Sequence, residues 1–443
     1  MKTRAFFQKN SSRGSVLIVV LVVCLGLVSL TLVFGHSMLM AYRGADNDTA
    51  GHQAEQAIEG AARYAEYLMT NVSTPGTLPD STTYQCEQVP VGDAFFWFIG
   101  EPLPTDPVDT PAFGLVDEAS KLNLNTATLA MLESLPGVTQ DFAQSIITWR
   151  TTQSGTSSTT TTASSTEKGA PFESVEELAR VDGADLTILY GEDANLNHVL
   201  DPNEDDGDKT PPSDNADGKL DPGILEYVTV FSREPNTLSD GTQRVNVTVQ
   251  SPALPALLNS TFTAERAVEI RRNLGGGPGI RSVLEFYIRS KMTEDEFGKI
   301  YPKLTMKTGT FSTGLVNVNT ASQTVLACIP GIGDKAAQIV AARQNQTQVP
   351  VTPAWVVPIL GPAATIQAGP FLTAQSYQVS ADVAAVGHNG HGYRRTLFVI
   401  DSSTGTAQIV YRRNLASLGW ALGTDARQTL ATGTTGANGK AVQ

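Results

Sequence analysis

The sequence is poor in the residues that build reactive centres. Its 443 residues include three cysteines, Cys24, Cys86 and Cys328, at spacings that fit no metal or redox pair, and Cys24 sits inside an apolar run. A disulfide between Cys86 and Cys328 is left open by the count; free or buried thiols are the simpler expectation. Of the five histidines only His388 and His391 stand three apart, and they lie in GHNGHG, which reads as a hairpin turn and not a helix. No Gly-x-Ser-x-Gly elbow, Walker-type phosphate loop or Cys/His nucleophile arrangement occurs. We therefore expect no enzymatic activity. Positive charge is scarce as well: 31 Lys and Arg stand against 44 Asp and Glu, a net charge of −13. That balance repels the phosphates of nucleic acid and argues against such a partner. A chain this long has room for two or three separate cores.

What is present begins at the N-terminus. MKTRAFFQKNSSRG carries Lys2, Arg4, Lys9 and Arg13, and then Ser15 to Gly35 runs without a charge. About 21 residues at roughly 1.5 Å each give about 31 Å of helix, enough to cross a bilayer core. The basic flank places the N-terminus in the cytoplasm and the bulk of the chain across the inner membrane, in the periplasm. The helical pattern continues past the apolar run: Ala54, Ala57, Ile58, Ala61, Ala65 and Leu68 recur at helical steps, with Glu55, Glu59, Arg63 and Glu66 between them. One long helix, half for lipid and half amphipathic, is the expected product.

The middle of the chain repeats itself. LNLNTATLAMLESLPGVTQDFAQSIITWR from Leu122 and VNVNTASQTVLACIPGIGDKAAQIVAAR from Val316 align Asn123, Asn125, Thr126 and Ala127 with Asn317, Asn319, Thr320 and Ala321. Pro136 and Gly137 align with Pro330 and Gly331. A weaker copy runs from Arg244 through AERAVEIRRNL. Short second elements follow, FESVEEL from Phe172 and IRSVLEF from Ile280, where Ser174 with Glu177, Ser282 with Glu285 and later Thr293 with Glu296 have capping-box spacing. TPAWVVPIL from Thr352 is the degenerate counterpart in the last copy. The Pro-Gly turns resemble helix-hairpin-helix units, in which glycine amides and a cation approach a phosphate. Gly331, Gly333, Lys335 and Arg343 offer that set, whereas Leu135 to Asp141 offers no cation. A hairpin kept for helix packing is the expectation, and a membrane-anchored DNA-binding or DNA-uptake protein is the alternative. Thr151 to Pro171, rich in Ser and Thr, reads as a surface loop.

Gly191 to Gly223 is the most acidic passage: from Glu192 to Asp221 ten acids face two lysines. A calcium loop of the EF-hand type takes oxygen ligands at positions 1, 3, 5, 7, 9 and 12. Counted from Asp193, these are Asp193, Asn195, Asn197, Val199 through its carbonyl, Asp201 and Glu204, with His198 where a glycine usually turns. A second set follows, with Ser213 or Asp214, then Asn215, Asp217, Lys219 through its carbonyl and Asp221, and Gly218 at the turn. Its position 12 is Ile224, so Glu226 or an acid between Glu204 and Asp208 has to complete the shell. Calcium is the expected cofactor. Nothing separates two of these carboxylates into the acid and base of a reaction.

The basic leader ending in Gly14, the long helix, LVDEASKLNLNTA from Leu115, the acidic passage and SREPN from Ser232 to Asn236 together resemble the K-type minor pseudopilins of type II secretion systems. The resemblance implies cleavage after Gly14, methylation of Ser15, and a tip position that explains Val19 at the fifth mature place, where most pilins carry Glu. It also implies assembly with the I- and J-type minor pseudopilins and the inner-membrane secretion platform, helical units related to sterile alpha motifs, and calcium within them.

Strand-like runs frame the helical middle: FFWFIG from Phe95, then YQVSADVAAV from Tyr377, RRTLFVID from Arg394 and AQIVYRR from Ala407, with GHNGHG and SSTG as turns. The expected fold is α+β: a pilin-like body, one long helix on an antiparallel sheet, with a large inserted helical domain. Residues 1–14 form the leader, 15–36 the membrane helix, 37–75 its amphipathic continuation and 76–120 the first part of the body. The insert covers 121–310 with the acidic loop at 191–223, and a last hairpin unit covers 311–365. Strands of the body occupy 366–422, and 423–443 reads as a flexible tail. EYVTVFS and QRVNVTV are expected to pair with each other inside the insert.

Overall fold

The apolar run and the amphipathic pattern form one helix, α1 (Arg13–Thr70), in a computed structural model that describes residues 13–102, 110–151, 168–247, 252–275, 279–346 and 348–432. The leader up to residue 12, the Ser/Thr tract from 152 to 167 and the end of the tail from 433 lie outside the described residues. At roughly 1.5 Å per residue, α1 is about 87 Å long. From Val16 to Tyr42 its apolar side chains are exposed, and this half is long and apolar enough to cross a membrane. From Ala50 onward it turns a stripe inward: Ala54, Ala57, Ala61 and Ala65 are fully buried, with Ile58 and Met69 beside them. Small residues at that spacing let the helix lie close on a sheet.

The sheet has six strands: β1 (Val89–Val91), β2 (Ala94–Ile99), β3 (Val116–Asp117), β4 (Gln378–Val386), β5 (Arg394–Asp401) and β6 (Gln408–Asn414). All pairings are antiparallel, in the order β1-β2-β4-β5-β6, with β3 continuing the β2 side of β4. The two-residue period sorts the side chains. Phe96, Phe98, Val383, Ala385, Phe398 and Ile400 meet α1, whereas Trp97, Ile99, Ala384 and Val386 face the other way, toward Ala421 and Leu422. The β4–β5 turn rides on the helix. A Cβ at Gly387 would lie 2.3 Å from the Ala50 carbonyl oxygen, and one at Gly392 (φ +70) 2.3 Å from the Gly51 nitrogen. Only glycine permits that approach.

Between β3 and β4 the chain leaves the body and makes three repeat units. Each begins with a Leu-Asn or Val-Asn strand, passes through a helical hairpin and shorter helices, and returns through a 3-10 turn to a second strand paired in parallel with the first. Leu122–Asn123 pairs with Val228–Thr229, Val245–Asn246 with Leu304–Thr305, and Val316–Asn317 with Leu372–Thr373. The hairpins are α2 (Leu129–Glu133) with α3 (Gln140–Arg150), α4 (Ala253–Thr261) with α5 (Ala264–Leu274), and α6 (Gln323–Ala327) with α7 (Ala336–Gln344). The architecture is thus a pilin-like fold with a helical insertion. The expected pairing of EYVTVFS with QRVNVTV is replaced by these closures, because each strand finds its partner within its own unit. Units one and three share one core, including Leu132, Phe142, Ile146, Leu326 and Ile339; unit two has its own around Leu258, Ile270, Phe286 and Phe297.

The same side chains hold the first and third units. Asn123 and Asn317 each accept a bond from the amide two residues on, and Arg150 and Arg343 each donate to the carbonyl of the aligned alanine, Ala127 or Ala321. Thr293 and Glu296 form a complete capping box. Ser282 caps Glu285, whose carboxylate reaches back to the Arg281 amide. Ser174 makes no cap bond, and the Glu177 carboxylate takes Lys168 Nζ at 2.9 Å and the Glu173 amide. At the centre Asp117, 4% exposed, accepts from Ala119 N, Asn317 Nδ2, Thr320 Oγ1 and Ser376 Oγ, joining sheet and third unit. The thiols of Cys86 and Cys328 are free. The start of the expected flexible tail is a helix, α8 (Gly423–Thr432), because Ala426 and Leu430 find the apolar patch of Trp97 and Leu422.

Candidate metal centre

The acidic passage is a closed double loop. Its ends meet where Gly191 bridges Pro222, with Glu192 N donating to Asp221 O and Gly223 N to Tyr190 O, each at 2.9 Å. The backbones approach so closely that a Cβ on Gly191 or Gly223 would lie 2.2 Å from a carbonyl oxygen of the other strand. The two glycines that delimit the passage are required by its closure.

Within the first loop the predicted ligands come together. Asp193, Asn197 and Glu204 are at most 1% exposed. Asp193 accepts the amides of Asn197 and His198, at 3.0 and 2.9 Å. Glu204 accepts those of Ala194 and Asp201, at 3.1 and 3.0 Å, and Asp201 Oδ2 accepts from the side-chain Nδ2 of Asn195 and of Asn197, at 2.7 and 3.1 Å. Val199 donates its N–H to Asn197 Oδ1 and sits buried at position seven. Three carboxylates therefore share one small volume. Burial raises the Asp193 pKa, and burial with the neighbouring Asp193 and Asp201 charges lifts Glu204 to about 8. Asn195 Oδ1 is buried with no hydrogen-bond partner. An orphaned acceptor beside crowded carboxylates is the chemistry a hard cation with oxygen ligands relieves.

His198 takes the glycine conformation its position demands, φ 59, next to Leu196 at φ 55; in the second loop Ala216 (φ 52) and Gly218 (φ 75) occupy the same two places. A bulky residue there is held by its surroundings. Burial disfavours the imidazolium, but Glu226 Oε2 lies 3.6 Å from Nδ1 and Asp193 Oδ2 4.0 Å away, and together they outweigh it and lift the pKa to about 9. Asp193, His198 and Glu226 also lie within metal-binding reach of one another. The oxygen set offers more donors, among them the orphaned Asn195 Oδ1, so it is the better candidate for a hard cation.

In the second loop the geometry redistributes the predicted roles. Asn215 Nδ2 donates to Asp221 Oδ2 and Lys219 N to Asp217 Oδ1, as their counterparts do in the first. Ser213 is exposed, and Asp214 is spent on the amides of Asp206, Gly207 and Ala216. Asp205 accepts the Gly218 amide at 3.0 Å, the part Asp193 plays for His198. Glu192 accepts the amides of Asn215 and Asp221, at 3.1 and 3.0 Å, the part Glu204 plays in the first loop. Glu226 is thus engaged with His198, and the place that Glu204 holds in the first loop is taken in the second by Glu192. Sequence register could not find it, because it precedes its loop by more than twenty residues and arrives only through the Gly191–Pro222 closure.

One further residue escaped the sequence. Arg395 on β5 is fully buried; it pairs with Asp382 at 2.6 Å and donates to the carbonyls of Asn195 and Leu196. The first loop is thereby fastened to the pilin-like sheet.

The hairpin cations turn inward. Lys335 Nζ donates to Leu360 O at 2.6 Å and Arg343 Nη1 to Ala321 O at 2.8 Å, and a Cβ at Gly331 would meet Ala364 O at 2.6 Å. These groups serve packing. Gly14 and Ser15 stand in the first turn of α1.

Residues 117–160 match the helix-hairpin-helix motif family, over the first hairpin. No curated protein matches the chain. Among solved structures, the GspK-GspI-GspJ complex of the type 2 secretion system of enterotoxigenic Escherichia coli is similar at 10% identity and a TM-score of 0.30, covering 87% of this chain and 98% of that one.

Proposed function

We propose that this chain is a K-type minor pseudopilin, seated at the tip of the type II secretion pseudopilus, where it helps initiate the filament and export across the outer membrane. The observation that carries the reading is α1: one unbroken helix whose exposed apolar half spans a membrane and whose other half packs on an antiparallel sheet. Such a helix stacks against others of its kind and holds its globular body at a membrane surface. Val19 gives it no carboxylate for the amine of a subunit beyond it, and the three-unit insert is bulk that would obstruct one. Its partners are then the I- and J-type minor pseudopilins and the inner-membrane platform. Calcium in the two loops would be structural, and no residue is assigned to catalysis. Held by Asp193, Asn195, Asn197, Val199, Asp201 and Glu204, and by Asp205, Asn215, Asp217, Lys219, Asp221 and Glu192, the ions would tie the insert to the body through Arg395. At a hundredfold excess over its dissociation constant, one bound ion stabilises a fold by about 2.7 kcal/mol. The nucleic-acid alternative loses support from the engagement of Lys335 and Arg343.

The test is co-purification. From detergent-solubilised membranes the full chain should bring down I- and J-type pseudopilins stoichiometrically and should not retain duplex DNA at low salt. Salt-sensitive DNA retention without pseudopilin partners would overturn the reading.

A further inference from the structure

Between the second and third repeat units lies a cleft of about 140 Å³, formed where the closing turn of one meets that of the other. Val283, Leu304, Met306, Leu315 and Leu372 give it an apolar floor, with the hydroxyls of Tyr301, Thr305, Ser312 and Thr373 among them. Its polar lining departs from the rest of the chain. Three basic side chains, Arg244, Arg281 and Lys307, meet one carboxylate, Glu234, in a protein whose net charge is −13.

The three cations are not equivalent. Arg244 is buried and committed: Nη2 donates to the Tyr377 hydroxyl at 2.8 Å, and Nη1 lies 3.6 Å from Glu234 Oε2. That contact sets Glu234, the only acid of the lining among the described residues, against a cation of its own. Arg281 is two-thirds exposed, and its partner Glu285 is shared, 3.4 Å from Arg281 but 2.6 Å from Arg289. Lys307 is exposed beside it. The cleft therefore has an apolar floor and a rim of two solvated cations.

We infer that this cleft binds a carboxylate carried on an apolar body, the chemistry offered both by a free aliphatic acid and by the last residue of a polypeptide. An apolar pocket of about 150 Å³ accepts a benzene-sized group, so an isobutyl or phenyl side chain fits the floor. A carboxylate at its edge then meets a guanidinium and an ammonium, whose charge-assisted bonds are the stronger kind. A fully hydrated inorganic anion gains nothing from the floor.

Calorimetry on the full chain in detergent micelles tests this with four probes: N-acetyl-leucine, N-acetyl-leucinamide, and a leucine-terminated pentapeptide with a free or an amidated end. Both acids should bind, each at least about tenfold more tightly than its amide, and Arg281→Ala or Lys307→Ala should weaken them about tenfold. Both side chains are exposed, so the fold is expected to survive, which a thermal melt checks. Tighter binding of the peptide acid assigns a chain end; equal binding assigns a small acid. Amides that bind as well as acids, acids that give no heat, or a double variant with unchanged affinity would each overturn the site.

Discussion

At the scale of residues, the acidic passage concentrates negative charge that the polypeptide alone does not balance. The Glu204 carboxyl is lifted from 4.5 to about 8 and the His198 ring from 6.5 to about 9. In both cases the folded state binds a proton the unfolded chain has released. Stability is therefore greatest below these unfolded values and falls as pH rises through the folded ones. In chelator, the melting temperature of the full chain should fall steadily between pH 5 and pH 9. Excess calcium should flatten the part of the fall below pH 8, since a cation replaces the proton on Glu204, and should release protons as it binds. Calorimetry in buffers of different ionisation enthalpy measures that release, and the same slope with and without calcium would remove the metal assignment. Glu192→Gln should lower the calcium stoichiometry by one ion. The residues that gather in the first loop were legible because a local register fixes them. Asp205 stood among the acids offered to complete the second shell, but Glu192 and Arg395 were not legible, since one reaches its loop through a chain reversal and the other from a distant strand.

At the scale of elements, periodicity carried most of the information. Alanine steps of three and four located the buried stripe of α1, and alternation located β2, β4, β5 and β6 to within a residue or two. Two-residue strands were illegible as strands, because no alternation can be read from two positions. They were nonetheless foreshadowed by the repeated Asn, whose side chain turns the chain into the hairpin. The contact between α1 and the β4–β5 turn depends on two glycines, and this gives an element-scale prediction. Gly392→Val places a branched side chain at φ +70 against the Gly51 backbone, which should cost about 3 kcal/mol or more. Thermal melting and protease cleavage near Ala50 would register it; a variant as resistant as the parent would show that the turn does not hold the helix.

At the scale of the whole molecule, the shared core binds unit one to unit three and Asp117 ties unit three to the body, whereas unit two has a core mostly its own and meets the others through Leu284, Ala354 and the Tyr301–Thr373 hydrogen bond. The unequal coupling predicts unequal tolerance. Removing residues 245–305 and rejoining the ends with a short glycine linker should leave the other two units and the sheet folded. Removing 316–373 should abolish the fold, because it exposes the core shared with unit one and orphans Asp117. Circular dichroism and solubility of the two deletions decide the matter, and equal loss in both would contradict the division.

The parallel closures carry a consequence for length. Because each unit's first and last strands lie side by side, about 4.8 Å apart as in any ladder, a unit takes the chain out and brings it back to its point of departure. What lies between those two strands can differ in length from unit to unit without displacing them. Unit one contains both the Ser/Thr tract and the double acidic loop, yet its closing strand meets its opening one in the same register as in the far shorter unit three. The insert is built like a ring binder: pages can be thickened one at a time without the spine moving.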